Sequence, residues 1–385
     1  MNLDLVLFII FTFVQGRLAV IVWRRIRALE RSWHAVAGTG MGLFGVLLVV
    51  GYSCTSAAVM GKVHIPAKMA AVVGAITYCY LLSSAAGLIF YTALGPVRKH
   101  MNAGADPARR RVLKLAGGAA MASPFAVLAY GALLKRTQFE IKEVDIALPG
   151  LAADLEGLRL LHLSDIHLSA FLSERELARM IDAACELRPH VAFATGDFIS
   201  TFGDPLAACI RQLARVKADA GMFGCLGNHE HYADATRSAV ELGARAGIPI
   251  LSNQTRQLRF GSAVLNLAGV DYQPIFRKRD YLLGAERLVY PGALNILLSH
   301  NPDVFPVAAR QGYDLVLAGH THGGQVNVEI LNQAINPARF FTPYVSGLYR
   351  AGRAAAYVTR GIGTIGIPAR IGAPPEISLL HLRKA

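Results

Sequence analysis

Residues 314–325 read DLVLAGHTHGGQ, in which a short apolar run ends in a glycine and is followed by two histidines. Four other segments share this arrangement, because each places an apolar run and a small residue before a side chain that can bind a metal ion. They are LLHLSD ending at Asp165, VAFATGD at Asp197, MFGCLGN at Asn228 and NILLSH at His300. Ligands of open α/β sheets bind beyond the carboxyl ends of strands, so these side chains are predicted to converge at one sheet edge.

The pattern around these segments indicates an α/β domain, because from Ile141 onward short apolar runs alternate with amphipathic segments. The apolar runs predict strands at residues 158–163, 191–195, 222–226, 265–270, 295–298, 315–318, 354–359 and 377–382. The amphipathic segments predict helices at residues 173–187, 205–217, 233–246 and 304–311. Ser173 followed by Glu176 predicts a capping box at the start of the first of these helices.

Two further histidines enlarge the candidate ligand set. His167 lies two residues beyond Asp165, and His322 lies two residues beyond His320, so the first and last strand ends each offer a pair of ligands. The full set of two Asp, one Asn and four His mixes nitrogen and oxygen donors, which suits Mn, Fe or Zn. Seven ligands exceed the needs of one ion. The set therefore predicts two bridged divalent ions, an arrangement that serves in-line displacement at phosphorus.

Taken in order, these motifs resemble those of the calcineurin-like metallophosphoesterases. The segments that carry the resemblance are Asp165-Ile166-His167, Gly196-Asp197, Gly227-Asn228-His229-Glu230, His300 and Gly319-His320-Thr321-His322. The continuation through Gln325, together with residues 360–363 and 374–377, is similar to the branch that contains membrane-associated or exported bacterial phosphodiesterases. The resemblance implies a β-sandwich flanked by helices that carries a metal-dependent phosphoesterase activity.

The resemblance also implies a role for each ligand. One ion would be held by Asp165, His167 and His322, the other by Asn228, His300 and His320, and Asp197 would bridge the two. A hydroxide between the ions would attack phosphorus in line, and His229 would protonate the leaving oxygen. Glu230 and His231 lie beside these motifs and are candidates for substrate contact, with a solvated loop as the alternative.

The first third of the chain is predicted to lie in a membrane. Residues 1–136 hold 15 Lys and Arg against 3 Asp and Glu, whereas the remaining residues hold 24 against 23. Four apolar stretches, at residues 3–23, 35–60, 69–94 and 115–134, are each long enough to cross a bilayer core of about 30 Å. The expected organisation is a transmembrane region of about four helices (1–136), a linker with a first strand (137–157) and a catalytic domain (158–385).

Basic residues are concentrated in two connections between these spans. Arg24, Arg25, Arg27 and Arg31 follow the first span, and Arg98, Lys99, Arg109, Arg110, Arg111 and Lys114 follow the third, whereas the loop between spans two and three has Lys62 and Lys68. The positive-inside rule then predicts a multi-pass protein of the inner (cell) membrane with its catalytic domain in the periplasm or outside the cell. The Arg109-Arg110-Arg111 stretch also resembles a twin-arginine export signal, and this alternative to an uncleaved anchor leads to the same side.

The predicted substrate is a phosphodiester at the membrane surface, with a lipid-linked phosphoester as one form. Nucleic acid is not expected as a partner, because the later domain is nearly neutral and has no basic cluster interleaved with aromatics. One alternative is a UDP-2,3-diacylglucosamine-type pyrophosphate hydrolase, although that cytoplasmic substrate conflicts with the predicted topology. A second alternative is a membrane metal-binding sensor or transporter with an inactive phosphoesterase domain. Spans two to four, however, lack the ionisable groups that a transport pathway usually needs.

Overall fold

The computed structural model describes residues 3–27, 30–55, 66–96, 106–330 and 333–385. The chain separates into two compact units, Met1–Tyr130 and Gly131–Ala385.

The described residues of the first unit form helices and short connections. Its helices are α1 (Leu3–Ile26), α2 (Ser32–Ser53), α3 (Ala67–Ala93) and α4 (Pro107–Tyr130). All four are long and apolar enough to cross a membrane by length and composition. Helix α4 begins earlier than the predicted span at residue 115, because its first turns are built from helix-forming Ala and Arg residues. The predicted end of the second span at residues 56–60 lies outside the described residues, as do Lys62, Arg98 and Lys99.

A polar residue of α1 is accommodated inside this helical unit. The amide nitrogen of Gln15 donates a hydrogen bond to Ser84 Oγ at 2.8 Å, and the Tyr80 hydroxyl donates to Gln15 Oε1 at 3.3 Å. Pairing between helices satisfies polar groups that lipid cannot satisfy. The pairing therefore explains how α1 tolerates a polar side chain midway along an apolar helix.

The second unit is built on two β-sheets. Its strands are β1 (Glu140–Leu148), β2 (Arg159–Leu163), β3 (Val191–Thr195), β4 (Met222–Cys225), β5 (Gln254–Phe260), β6 (Ala263–Gly269), β7 (Leu294–Leu298), β8 (Leu315–Ala318), β9 (Val328–Ile330), β10 (Gln333–Ile335), β11 (Gly347–Ala351), β12 (Ala354–Val358) and β13 (Glu376–Lys384). The first sheet has the order β1-β13-β2-β3-β4, and the second has the order β11-β12-β8-β7-β6-β5. Strands β9 and β10 form a separate antiparallel hairpin.

The two sheets pack face to face around an apolar core. Leu160 and Phe193 from the first sheet belong to one buried cluster with Leu267, Ile296 and Leu317 from the second. Successive side chains of a strand point to opposite faces, so the neighbouring residues of β2 and β3 belong to a different cluster, which packs against helices. Burial on both faces accounts for the almost uninterrupted apolar runs of these strands.

Helices cover the outer faces of this sandwich. They are α5 (Glu174–Glu186), α6 (Leu206–Leu213), α7 (Asn228–Tyr232), α8 (Thr236–Arg245) and α9 (Phe305–Gln311). The predicted capping box is confirmed at the start of α5, where Ser173 Oγ accepts from the Glu176 N–H at 3.2 Å and the Glu176 carboxylate accepts from the Ser173 N–H at 2.7 Å. The α/β prediction, with a β-sandwich flanked by helices after a helical membrane region, is therefore confirmed.

The structure differs from the predicted elements where strands are exposed or turns are sharp. Strands β5 and β11 have mostly exposed or half-buried residues, and their sequences therefore lack the apolar runs on which the strand predictions relied. The helix predicted at residues 233–246 begins only at Thr236, because Asp234 adopts a left-handed backbone with φ of 51°.

Strand direction places the candidate ligands at one edge. Strands β2, β3 and β4 run parallel in the first sheet, and β6, β7 and β8 run parallel in the second. Five of these six strands lead directly into the candidate ligands. The fold therefore brings together residues that are up to 157 positions apart, from Asp165 to His322.

Candidate metal centre

The first group of predicted ligands converges from β2 and β8. The ligand atoms of Asp165, His167 and His322 lie within 4.8 Å of one another, and all three side chains are buried. His322 Nε2 is 3.2 Å from His167 Nε2 and 3.3 Å from Asp165 Oδ1. Three donors at this spacing surround a volume that suits one small cation.

The second group converges from β3, β7 and β8. The ligand atoms of Asp197, His300 and His320 also lie within 4.8 Å of one another. Asp197 Oδ2 lies 3.0 Å from His300 Nε2 and 3.5 Å from His167 Nε2, which belongs to the first group. A single carboxylate oxygen therefore faces both groups.

Asn228 Oδ1 is buried at this edge without a hydrogen-bond partner among the described residues. A buried polar atom without a partner costs about 1–3 kcal/mol. His300 Nε2 makes no hydrogen bond either, but it lies 3.0 Å from Asp197 Oδ2, within ion-pair distance when the ring is protonated. Because an amide oxygen and a deprotonated imidazole nitrogen both bind divalent ions, the residues present fit a metal centre.

The backbone at these positions is strained. Of the ten described residues other than glycine that have positive φ, five are predicted ligands: Asp165, His167, Asp197, His320 and His322, with φ between 49° and 72°. Such conformations cost about 1–3 kcal/mol each and persist where the surrounding structure holds them. The strain turns the side chains inward at the strand ends.

Two glycines allow the carboxylates to approach the neighbouring turns. A β-carbon at Gly227 would lie 2.2 Å from Asp197 Oδ1, and one at Gly319 would lie 2.1 Å from Asp165 Oδ2. No other residue type fits either position without displacing a candidate ligand. The small residues noted before the ligands in the sequence have this steric cause.

Hydrogen bonds orient the imidazole rings. His300 Nδ1 lies 2.7 Å from the Thr195 carbonyl, to which it donates, so Nε2 is the atom that faces the carboxylates. His229 Nδ1 lies 2.6 Å from the Ser200 carbonyl and donates to it in the same way. The His229 ring lies 4.7 Å from that of His167, and its backbone N–H donates to Asp197 Oδ1 at 2.9 Å.

Burial controls the protonation of most of the histidines. It lowers the pKa of His320 to about 3, and it also lowers the pKa of His167 and of His322. Neutral rings keep a lone pair for a metal ion. Burial also acts to lower the pKa of His300, but the carboxylates of Asp197 and Asp165 outweigh it and raise this pKa to about 10. A proton on His300 thus offsets carboxylate charge when no cation is bound.

The structure separates the two residues predicted to contact substrate. Glu230 is fully buried, and its carboxylate accepts the backbone N–H groups of Asp197, Phe198 and Gly227 at 2.8–2.9 Å. These bonds engage the carboxylate and fix the two ligand turns, and the substrate contact of Glu230 stays a prediction. His231 is exposed, and its Nε2 lies 2.7 Å from Asp271 Oδ1 at the rim of the site.

Three residues at this site, Asp271, Tyr272 and Arg370, were not predicted from the sequence. The Tyr272 ring lies 6.0 Å from that of His320 and 6.3 Å from that of His300. Asp271 and Tyr272 follow the end of β6, so the pattern of strand ends held a signal for them. Arg370 is fully buried and gave no such signal.

The Arg370 guanidinium connects the ligand turn after β8 to the loop after β12. It donates to the backbone carbonyls of His322 and Arg360 at 2.8 Å, and further bonds reach Gly361, Gly363 and Ala373. Its Nη2 also lies 3.3 Å from His322 Nδ1. Because a guanidinium offers five donors in a fixed plane, it can fix a loop through several carbonyls at once.

Comparison with known proteins identifies the family of this chain. The profile of the calcineurin-like phosphoesterases matches residues 158–324. The uncharacterized metallophosphoesterase YkuE of Bacillus subtilis is 30% identical over 291 residues, which cover 71% of this chain and 97% of that protein. The chain belongs to the calcineurin-like phosphoesterase family. Members of this family are metal-dependent phosphoesterases, and the predicted family is confirmed.

Two other relatives of this calcineurin-like phosphoesterase carry descriptive names. The transmembrane protein with metallophosphoesterase domain of Danio rerio is 33% identical over 283 residues, which cover 68% of this chain and 61% of the relative. Phosphodiesterase YaeI of Escherichia coli is 29% identical over 241 residues, which cover 58% of this chain and 82% of the relative. This chain thus spans about three fifths of the length of the Danio rerio protein.

Metal uptake by this calcineurin-like phosphoesterase is expected to release protons. At pH 7 His300 is protonated without a metal ion, because its pKa is raised to about 10, whereas a metal ligand must be neutral. The apparent affinity for Mn²⁺ should therefore rise with pH between 6 and 9, by about tenfold per pH unit for each proton released. Titration calorimetry in two buffers of different ionisation enthalpy measures the number of protons released per bound metal ion.

His300→Asn should lower that number, and the exposed His231→Asn serves as the matched control. An unchanged count in His300→Asn would refute the assignment.

Proposed function

We propose that this chain is a two-metal phosphodiesterase that acts on phosphoesters at a membrane surface. The observation that carries the proposal is the position of Asp197 Oδ2, which faces His167 of one ligand group and His300 of the other. A carboxylate oxygen shared by two ligand groups is what a bridged pair of divalent ions requires. Membership of the calcineurin-like phosphoesterases supports the same chemistry.

The proposed ligand sets build on two of the three ligand groups among the described residues, with Asn228 added to the second. Asp165, His167 and His322 would hold one ion, Asn228, His300 and His320 would hold the other, and Asp197 would contribute to both. When bound, the ions would supply an activated water nucleophile and positive charge for the phosphoryl oxygens. The mixed nitrogen and oxygen donors favour Mn, Fe or Zn.

His229 is proposed as the general acid. Its Nδ1 is engaged by the Ser200 carbonyl at 2.6 Å, which leaves Nε2 as the atom that exchanges a proton with substrate. The His229 ring is half-buried, unlike the buried His167 beside it, so a substrate has access to it. In this position Nε2 would protonate the leaving oxygen as the ester bond breaks.

The substrate class rests on the relatives and on the helical region. One relative is named a phosphodiesterase, and another is named a transmembrane protein. Four helices long and apolar enough to cross a membrane precede the site in this chain. Together these features favour a phosphodiester that is accessible at a bilayer surface, with lipid-linked phosphoesters as the class to test.

The predicted domain boundaries at residues 136 and 157 stay a prediction. The structure itself separates its two units after Tyr130.

Asp197→Ala is expected to be the most damaging ligand substitution, because the side chain contributes to both ligand groups. Hydrolysis of bis(p-nitrophenyl) phosphate should fall by about 10³-fold or more, since each ion contributes several kcal/mol of transition-state stabilisation. Metal content measured by mass spectrometry should fall with activity. Asp219→Asn changes an exposed carboxylate and is the matched control. Wild-type turnover by Asp197→Ala at saturating Mn²⁺ would rule out the proposed centre.

His229→Asn should retain both metal ions while catalysis falls by roughly 10²- to 10⁴-fold on substrates with alkoxide leaving groups. The loss should be smaller for an aryl ester, because p-nitrophenolate departs without needing a proton. Comparison of kcat/KM for an alkyl and an aryl ester in both proteins isolates this effect, provided that chemistry limits the rate. Equal fractional losses on the two esters, with unchanged metal occupancy, would argue for a positioning role instead.

The catalytic domain is proposed to lie outside the cytoplasm. The motivation is the run of basic residues after the first and third spans. An alkaline phosphatase fused after residue 385 should be active, because this reporter folds only after export, and a fluorescent protein at the same position should stay dark. The opposite pair of results would place the domain in the cytoplasm and would favour the UDP-linked pyrophosphate alternative.

A further inference from the structure

Two loops that leave the metal edge carry exposed aromatic and basic side chains at their tips. In the loop after β6, the tip consists of Phe276, Arg277, Lys278 and Arg279, and Phe276 is 92% exposed. In the loop after β10, the tip consists of Arg339, Phe340 and Phe341, and the two phenyl rings belong to residues that are 84% and 63% exposed. Large apolar side chains grouped in solvent are unfavourable and indicate an interaction surface.

Both loops are attached to the metal centre at their bases. The first begins at Tyr272, whose ring lies against His320, and Asn301 Nδ2 donates to the Gln273 carbonyl at 2.7 Å. The second is held by Asn336, which is buried and whose Nδ2 donates to the Gly323 carbonyl at 2.9 Å, next to His322. A surface formed by the two tips is therefore positioned by the same turns that position the ligands.

One acidic residue joins the two tips. Asp303 Oδ2 lies 3.6 Å from Lys278 Nζ of the first loop, and Asp303 Oδ1 accepts a hydrogen bond from Thr342 of the second. The tips consequently lie side by side. We call the surface they form the aromatic-basic surface and define it by Phe276, Arg277, Arg279, Arg339, Phe340 and Phe341.

The charge of this surface is positive and unpaired. Residues 276–280 and 339–342 contain three Arg and one Lys against one Asp. Asp303 engages Lys278, but no ion pair among the described residues engages Arg277, Arg279 or Arg339. Phenyl rings between arginines are the composition with which proteins bind the boundary between lipid headgroups and acyl chains. Anionic headgroups attract each basic residue that lies near them.

We propose that the aromatic-basic surface docks on an anionic phospholipid bilayer, with the three phenyl rings in the acyl boundary and the three arginines on lipid phosphates. A bilayer is favoured over a protein partner because the chain carries its own membrane-spanning helices, which keep a bilayer at a high effective concentration. Docking would hold the metal edge where phosphoesters of lipids are presented. The inference concerns a binding surface and is independent of the proposed catalytic activity.

The test places a fluorescent reporter on the surface of the full chain in lipid nanodiscs. Trp23 and Trp33 are first replaced by Phe, and then Phe340→Trp or Phe276→Trp supplies a single reporter in each of two variants. In nanodiscs of phosphatidylcholine and phosphatidylglycerol with brominated acyl chains, both reporters should be quenched and their emission should shift to the blue. Thr255→Trp, on the exposed edge strand β5, is the matched control and should stay unquenched.

A second arm tests the charge. Neutralising the three arginines by Arg277→Gln, Arg279→Gln and Arg339→Gln should weaken docking by about fivefold for each residue, so that quenching requires more phosphatidylglycerol. The matched control neutralises Arg237, Arg245 and Arg256, which are exposed elsewhere on the domain. Quenching at position 340 or 276 no greater than at position 255 would overturn the proposal, as would equal quenching with and without phosphatidylglycerol. Because fluorescence is the readout, the result does not depend on whether the site hydrolyses any phosphoester.

Discussion

The second unit depends on the burial of two carboxylates at one sheet edge. Asp165 and Asp197 are almost completely shielded from solvent, and unpaired buried charge costs several kcal/mol per ion. The His320 N–H and the His229 N–H donate to them, and His300 carries a compensating proton. The left-handed turns at the strand ends and the closely packed Gly227 and Gly319 allow these backbone N–H groups to reach the two carboxylates. Divalent cations would offset the charge more completely, so metal occupancy and the stability of the folded domain are linked.

The parts of the fold that were predictable from the sequence are those where burial leaves a one-dimensional pattern. Strands β2, β3, β7 and β8 are buried on both faces, so their apolar runs and the ligands that follow them were readable without a structure. Strands β5 and β11 lie at the two edges of the second sheet and expose much of their surface, so they left no such run. Polarity alone does not distinguish an exposed strand from a loop.

The residues of the metal site also differ in whether the sequence alone could predict them. The ligands were predictable because each follows a strand, whereas Arg370 resembles any surface arginine until the fold surrounds it with carbonyls. Glu230 was predicted as a candidate for substrate contact because it lies beside the metal motifs, but the sequence did not predict the backbone hydrogen bonds that its carboxylate accepts. Its three backbone partners come from two separate strand ends, a relation that exists only in three dimensions. The contact between the rings of Tyr272 and His320 likewise exists only in the folded chain.

The position of β13 has a consequence for biogenesis. This strand, Glu376–Lys384, is inserted between β1 and β2, with a parallel neighbour on one side and an antiparallel neighbour on the other. Strand β1 precedes β13 by more than 200 residues of sequence, so the first sheet stays open until residue 384 has left the ribosome. Contacts so distant along the chain form late and slowly during folding. A chain that reaches its destination by threading through a membrane pore would therefore pass through while this sheet is still unassembled, and the metal edge would mature only after translocation.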